Sequence, residues 1–175
     1  MPAQSCALVL LRIDERRWSE LPFDVQDLCE CAVEASFVSV RQRTYGEVSV
    51  LLTNDPAMGM LNSRYRRREG PTNVLSFPAR MQPAHGAQEH GPVMWGDIAM
   101  SFDRVDHEAK CGIKSIRSHM AHLLVHGTLH LLGFDHKESP EAAAMERLEV
   151  SSLARLGIGD PFSDNAGVEF TRLRK

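Results

Sequence analysis

The residues of this chain best placed to do chemistry are the histidines of His126-Gly-Thr-Leu-His130-Leu-Leu-Gly133-Phe-Asp135-His136. His126 and His130 are four residues apart, so on a helix they stand one above the other on the same face. The axial rise between them is about 6 Å, close enough for two imidazoles to converge on one ion. Gly133 can take a left-handed backbone conformation that ends the helix and turns the chain back, which would deliver His136 as a third ligand. Three neutral imidazoles with a fourth position open to water form a catalytic zinc set, whereas a structural site more often closes with a protein ligand such as cysteine. The same ligands also suit nickel, copper or iron. Zinc is the metal expected on availability.

The spacing matches the long zinc-protease pattern H-E-x-x-H-x-x-G-x-x-H at its three histidines and its glycine. It departs where the proteases carry glutamate, the general base that takes a proton from the metal's water. Here that position is Gly127, which cannot do so. The pattern keeps the metal cage without the proteolytic base and argues against peptide hydrolysis. His122 precedes His126 by one helical turn and shares its face. It reads as an outer partner or auxiliary ligand of the site, or else as a partly buried helix histidine. His85, His90, His107 and His119 have no comparable partner and are expected to be solvated.

H-G-x-L-H-L-x-G-[FY]-D-H, read here from His126 to His136, resembles the signature of the YbeY family of bacterial endoribonucleases. A second block, Leu61-Asn62-Ser-Arg-Tyr65-Arg66 followed by Pro71-Thr72-Asn73-Val74-Leu75-Ser76-Phe77-Pro78, is similar to that family's L-N-x-x-[YW]-R and P-T-[DN]-V-L-S-F-P. Gly96-Asp97-Ile98 and the pair Met145 and Glu149 fall where the family carries G-D-I and M-x-x-x-E. The likeness spans roughly residues 45 to 157.

The resemblance implies a single-strand-preferring endoribonuclease that matures ribosomal RNA, notably the 3′ end of the 16S species, and takes part in ribosome quality control. It implies one zinc ion held by His126, His130 and His136, with Arg66 beside it. The expected partners are single-stranded or ribosomal RNA, the small ribosomal subunit and its assembly factors. Arg66 is then a catalytic candidate, because a guanidinium is a planar fork of donors suited to a phosphodiester. Asp135, the neighbour of His136, is the other: it could orient a histidine or relay a proton. Asn73 and Ser76 are candidates to line a substrate cleft, set against plain turn and sheet hydrogen bonding. Arg64 and Arg67 could contact substrate, or with Arg68 form a solvated helix end. Tyr65, Phe77 and Phe134 are the aromatics nearest the motifs and read as core rather than as platforms for RNA bases.

Two rival readings stand beside this one. A zinc-dependent hydrolase of peptide or a small molecule would need a base from elsewhere, with Asp97, Asp135 or Glu149 as donors. A non-catalytic ribosome-assembly factor would use zinc structurally.

Elements that must position these residues follow from periodicity. Ala7–Ile13, Glu47–Thr53, Val74–Phe77 and Asp97–Phe102 read as strands. Leu21–Ser36 carries a helical apolar stripe at Val25, Leu28, Ala32 and Ala35. Asp55 and Pro56 open a helix running to about Arg66, with Asp55 as its cap. Ile116–Leu132 is the strongest helix, and Glu141–Leu156 follows Ser139-Pro140. Residues 79–92, with two prolines and two glycines, read as a loop. The fold expected is α+β with about four strands and five helices. The family resemblance makes the sheet mixed and mostly parallel, with the metal in a cleft between the histidine helix and the sheet side carrying Arg66.

At 175 residues the chain predicts a single domain over 1–157 and a loosely structured tail over 158–175. Its 43% hydrophobic and 25% charged content is ordinary for a globular protein. No apolar run approaches the roughly 20 residues that span a bilayer. The first residues lack the basic start of a signal peptide, so a cytoplasmic protein with no membrane partner is expected. Cys6, Cys29, Cys31 and Cys111 form no C-x-x-C pair and read as small buried hydrophobes in a reducing compartment. A net charge of −3 is not that of a general nucleic-acid binder. The run Arg64, Arg66, Arg67 and Arg68 concentrates positive charge locally, with Arg41 and Arg43 in a second segment.

Overall fold

The computed structural model describes residues 7–79, 93–112, 114–135 and 139–163. Its strands are β1 (Ala7–Ile13), β2 (Gly46–Thr53), β3 (Val74–Pro78) and β4 (Val93–Ser101). Its helices are α1 (Val25–Ser39), α2 (Asp55–Leu61), α3 (Phe102–Cys111), α4 (Ile116–Leu131) and α5 (Ser139–Arg155). The sheet order is β1-β2-β4-β3, with β1, β2 and β4 parallel and β3 antiparallel to β4 at the edge. The α+β class and the mixed, mostly parallel sheet are as expected.

Strand alternation assigns each sheet face its role. Val9, Val48, Val50, Leu52, Ile98 and Met100 point to one side and join the main core with residues of α1, α4 and α5. On the other side Leu75 and Ala99 pack with Met58 of α2 in a smaller cluster. The helix α4 is enclosed: Met120, Ala121, Leu124, Val125, Leu129 and Leu131 are all buried. A helix so enclosed holds its side chains in fixed positions, which a ligand set requires.

β4 gains its fit from one irregularity. Register with β2 shifts between Glu47 and Val48, so Trp95 has no partner in the ladder. Trp95 is buried there, edge to face with Phe37 at 5.6 Å between centroids. Gly96 follows at φ 133°, and a side chain there would collide with the Phe77 carbonyl.

Several boundaries differ from expectation for identifiable reasons. The first helix begins at Val25 because Asp24 caps it, accepting from the Asp27 N–H at 3.0 Å. A short 3₁₀ turn, Arg16–Glu20, precedes it and buries Trp18, whose indole N–H donates to the Thr53 carbonyl. The cap of α2 is Asn54, accepting from the Ala57 N–H at 3.2 Å. Asp55 is taken up elsewhere, by the Ser101 hydroxyl at 2.6 Å and by Arg104. After Leu61 the chain widens into a π-turn, Asn62–Arg66, closed by Arg67 in the left-handed region at φ 55°. β4 is longer than expected and Phe102 opens α3, a helix with no assignment in the sequence pattern.

Of the thiols, Cys29 is buried as expected, and burial pushes its pKa up to about 12. Cys31 and Cys111 are exposed, contrary to expectation, because they sit on outward faces of α1 and α3. Cys6 and the loop expected over 79–92, apart from Ala79, lie outside the described residues. Residues 157–163 turn back on α4: the Pro161 carbonyl accepts from Lys114, and Phe162 lies 5.6 Å from the His122 ring. The tail beyond 163 is outside the described residues. Among the described residues no helix is long and apolar enough to cross a membrane.

Candidate functional site

Helix α4 presents His122, His126 and His130 as one stripe, each half-buried. The His126 and His130 rings stand at 83° with their centroids 4.6 Å apart, and their Nε2 atoms face each other at 3.1 Å. The far nitrogen of each ring is held by an acceptor. His126 Nδ1 donates to Glu149 Oε1 at 2.7 Å, and His130 Nδ1 donates to the Phe134 carbonyl at 2.9 Å. Neither acceptor carries a proton to give, so each Nδ1 is the donor, and with no second proton on either ring both Nε2 lone pairs would aim at the same point. Two nitrogens bound to one tetrahedral zinc at its usual bond length stand about 3.3 Å apart. The observed 3.1 Å fits that ion.

The turn after α4 makes this possible. Gly133 adopts φ 91°, its N–H bonds the His130 carbonyl, and the Phe134 N–H bonds the Leu129 carbonyl. This is the paired pattern of a glycine-closed helix end. It folds the Phe134 carbonyl back onto His130, so the glycine that ends the helix also orients a ligand. The turn then leads through Asp135, half-buried, toward His136. His136 itself lies outside the described residues. Among the described residues no group of three His, Cys, Asp or Glu is placed to hold a metal.

Glu149 reaches the stripe from α5, where Met145, Glu149 and Leu153 are buried at four-residue intervals. Its second oxygen accepts from His122 Nε2 at 3.0 Å, so one carboxylate grips two histidines. Burial alone would raise its pKa, but the hydrogen bonds from His122 and His126 outweigh that and hold it at about 2. The carboxylate is charged, buried and fully engaged. It positions His126 and is not available as a base. His122 is a half-buried helix histidine that shares this carboxylate with His126.

Contrary to expectation, His119 is not solvated: it is 1% exposed and bonds Glu108 of α3 at 2.7 Å. Glu108 also accepts from the Asn73 amide at 2.9 Å, joining α3, α4 and the approach to β3. Burial works to raise the Glu108 pKa, yet these bonds carry it below its ordinary value. Asn73 is therefore buried with its amide engaged inside the fold. His107 is exposed as expected, and His85 and His90 lie outside the described residues.

Arg66 ends the π-turn and donates from Nη2 to the Ser76 carbonyl at 2.7 Å, on the edge strand β3. The Ser76 side chain is buried against α4: a Cβ on Gly127 would lie 3.0 Å from its hydroxyl oxygen. The guanidinium is thus linked through Ser76 to the residue following His126. Arg64, Arg67 and Arg68 are exposed on the same turn and on the chain just after it. Arg41 and Arg43 lie before β2, on the far side of the sheet's order from the edge strand that anchors Arg66. Tyr65 is 57% exposed, against the expectation of a core position, while Phe77 and Phe134 are half-buried against the apolar clusters.

Sheet alternation removes one candidate base. Asp97 is exposed and points away from Ile98, which faces α4, so Asp97 lies on the sheet face opposite the histidines.

An α+β domain built around an H-x-x-x-H helix, with each imidazole locked from behind by an acceptor, defines the class of this protein. The chain belongs to the YbeY family: the family model described as Endoribonuclease YbeY matches residues 12–157. A protein of Bradyrhizobium diazoefficiens named Endoribonuclease YbeY is 41% identical over 151 residues, covering 86% of this chain and 82% of the relative. Relatives of the same name from Rhodospirillum rubrum and Maricaulis maris are 41% and 38% identical, over 92% and 87% of this chain and 85% and 89% of their own lengths. A solution structure of a Thermotoga maritima protein shares the fold at a TM-score of 0.53 and 18% identity, covering 89% of this chain and 99% of that one.

Proposed function

We propose that this protein is a zinc-dependent endoribonuclease that cuts single-stranded RNA, with 16S ribosomal RNA near its 3′ end as the substrate in a cytoplasmic maturation and quality-control step on the small ribosomal subunit. The observation that carries the reading is the facing pair of Nε2 atoms, 3.1 Å apart, in a member of the YbeY endoribonuclease family. His126 and His130 would hold the ion, with His136 as third ligand. A divalent ion there supplies Lewis acidity for activating water and for carrying charge on a phosphodiester.

The chain's own groups account for the rest. Glu149 and the Phe134 carbonyl hold the two rings in one tautomer, so no reorientation is needed on binding. Arg66 has five N–H donors, and its bond to Ser76 uses one, leaving a fork to bind and orient a phosphodiester. Arg64 and Arg67 add sequence-independent attraction for the RNA backbone. Asp135, next to His136 in the chain, serves to orient that ligand or to move a proton.

Peptide hydrolysis fits less well, because a side chain at Gly127 would be tight against Ser76 and Ile98, Glu149 is engaged and Asp97 is on the far face, which leaves Asp135 alone of its candidate bases. Replacing Arg66 with alanine is expected to leave folding and zinc content unchanged while kcat/KM on single-stranded RNA falls about 10- to 100-fold, the worth of charge-assisted hydrogen bonds to phosphate. Metal analysis and thermal melting beside the cleavage assay check it. Loss of zinc in that variant would contradict the proposed division of roles.

A further inference from the structure

We infer that Tyr65 is a stacking platform for an unpaired base of the RNA and contributes the preference for single strands; the inference rests on the endoribonuclease reading above. Tyr65 is 57% exposed, yet its ring is fixed, edge to Phe77 at 5.2 Å and 64°. Phe77 is itself set in β3 opposite Asp97 of β4. The π-turn carrying Tyr65 is pinned at both ends. Asn62 is buried and donates to the Gly70 carbonyl at 2.8 Å, and the Arg67 N–H returns to the Asn62 carbonyl. The ring is therefore held out at the surface on a preorganised mount, with little freedom to lose on binding.

Phe77, like its cross-strand partner Asp97, faces away from α4, so Tyr65 sits round the free edge of the sheet from the histidines, and an RNA strand joining the two would pass over the edge strand β3. The next residue, Arg66, is anchored to Ser76, and the Ser76 side chain abuts Gly127 beside His126. Arg64 lies over the Tyr65 ring at 5.6 Å and is itself exposed, so it can move to a backbone phosphate when a base takes the ring face. Stacking on an aromatic ring is tolerant of sequence, because every base has a π-face. A base within a duplex has both faces covered by its neighbours and cannot stack there. Such a platform sorts strands by their state of pairing without reading their sequence.

The test uses a single-stranded oligoribonucleotide carrying 2-aminopurine, whose fluorescence falls on stacking, bound to protein in a His130→Ala background. Tyr65→Ala and Tyr65→Leu should both lose the quenching and weaken binding about tenfold, while Tyr65→Trp retains them. Leucine keeps an apolar contact with Phe77, so parallel losses in both variants assign the effect to the π-face and not to packing. With His130 intact, Tyr65→Ala should raise KM on single strands about tenfold, leave kcat unchanged and lower single-strand over duplex discrimination by the same factor. Quenching and affinity unchanged in Tyr65→Ala, or Tyr65→Leu equal to the parent, would overturn the platform while leaving the nuclease reading intact. Tyr65-dependent quenching by a parent protein that cuts no RNA would support the platform and defeat the nuclease reading instead.

Discussion

Glu149→Ala is expected to lower metal affinity by up to about 100-fold and conformational stability by about 3–5 kcal/mol, with RNA cleavage falling by more than about 100-fold as a consequence. Both effects come from one carboxylate. It is 3% exposed and holds His126 Nδ1 at 2.7 Å and His122 Nε2 at 3.0 Å, so its removal leaves two half-buried ring donors without their acceptor. His126 would then be free to rotate or to change tautomer, and the facing arrangement with His130 would be lost. Glu149→Gln keeps the volume and one carbonyl acceptor, so a smaller loss, about tenfold in affinity, is expected. Competition with a chromogenic chelator measures the first effect and denaturant titration the second.

The same group fixes an acid limb. Its folded pKa is depressed to about 2, against about 4.3 for a free glutamate. A depressed carboxylate contributes stability that is fully present above the unfolded pKa and is lost as pH falls through the folded one. Denaturant midpoints measured in chelator should therefore decline as pH drops from about 4.3 toward 2. Glu149→Ala should lose the part of that slope due to this carboxylate. An acid limb identical in the variant would place the depressed pKa elsewhere.

Gly127→Glu restores the protease signature to the letter and is expected to produce no protease. An added Cβ would meet the Ser76 hydroxyl oxygen at 3.0 Å and two carbons of Ile98 at 3.3 Å. The rest of the side chain would have to push β3 and β4 away from α4 and bury a carboxylate without a partner. Overpacking and an unpaired buried charge together cost about 3 kcal/mol or more. For a chain of this size that lowers Tm by roughly 10 °C. A melting curve and a casein assay check it. Parent-like stability with new casein hydrolysis would restore the peptide reading.

That outcome bears on what was legible in the chain. The ligand stripe follows from four-residue spacing on a helix, and Gly133 signals the turn because only a residue tolerant of positive φ closes a helix that way. β1 and α4 were equally plain, the first as a run rich in apolar residues and the second as a long stretch without proline that Ser115 caps. The role of Gly127 as a contact between helix and sheet was not legible, since the missing base is a fact about the motif and the close packing is a fact about β3 and β4. Glu149 is marked by the M-x-x-x-E likeness and as a candidate base, but its role in holding two histidines is not readable there. Its partners are 23 and 27 residues away, and no local period reports such pairs. His119 was misjudged for the same reason: its partner Glu108 lies on α3, a helix that begins at Phe102 directly after β4 with no turn residue to mark it. The exposure of Tyr65 depends on the π-turn, a widening of the helix that apolar spacing does not encode.

Cleavage of a labelled single-stranded RNA by the purified protein, compared as isolated, after chelator treatment and after zinc restoration, with His130→Ala alongside, tests the central claim most directly. Cutting that disappears with chelator, returns with zinc and is absent from His130→Ala is the predicted result. Cutting that persists in chelator or in His130→Ala, or no cutting by folded, zinc-loaded protein, would contradict it.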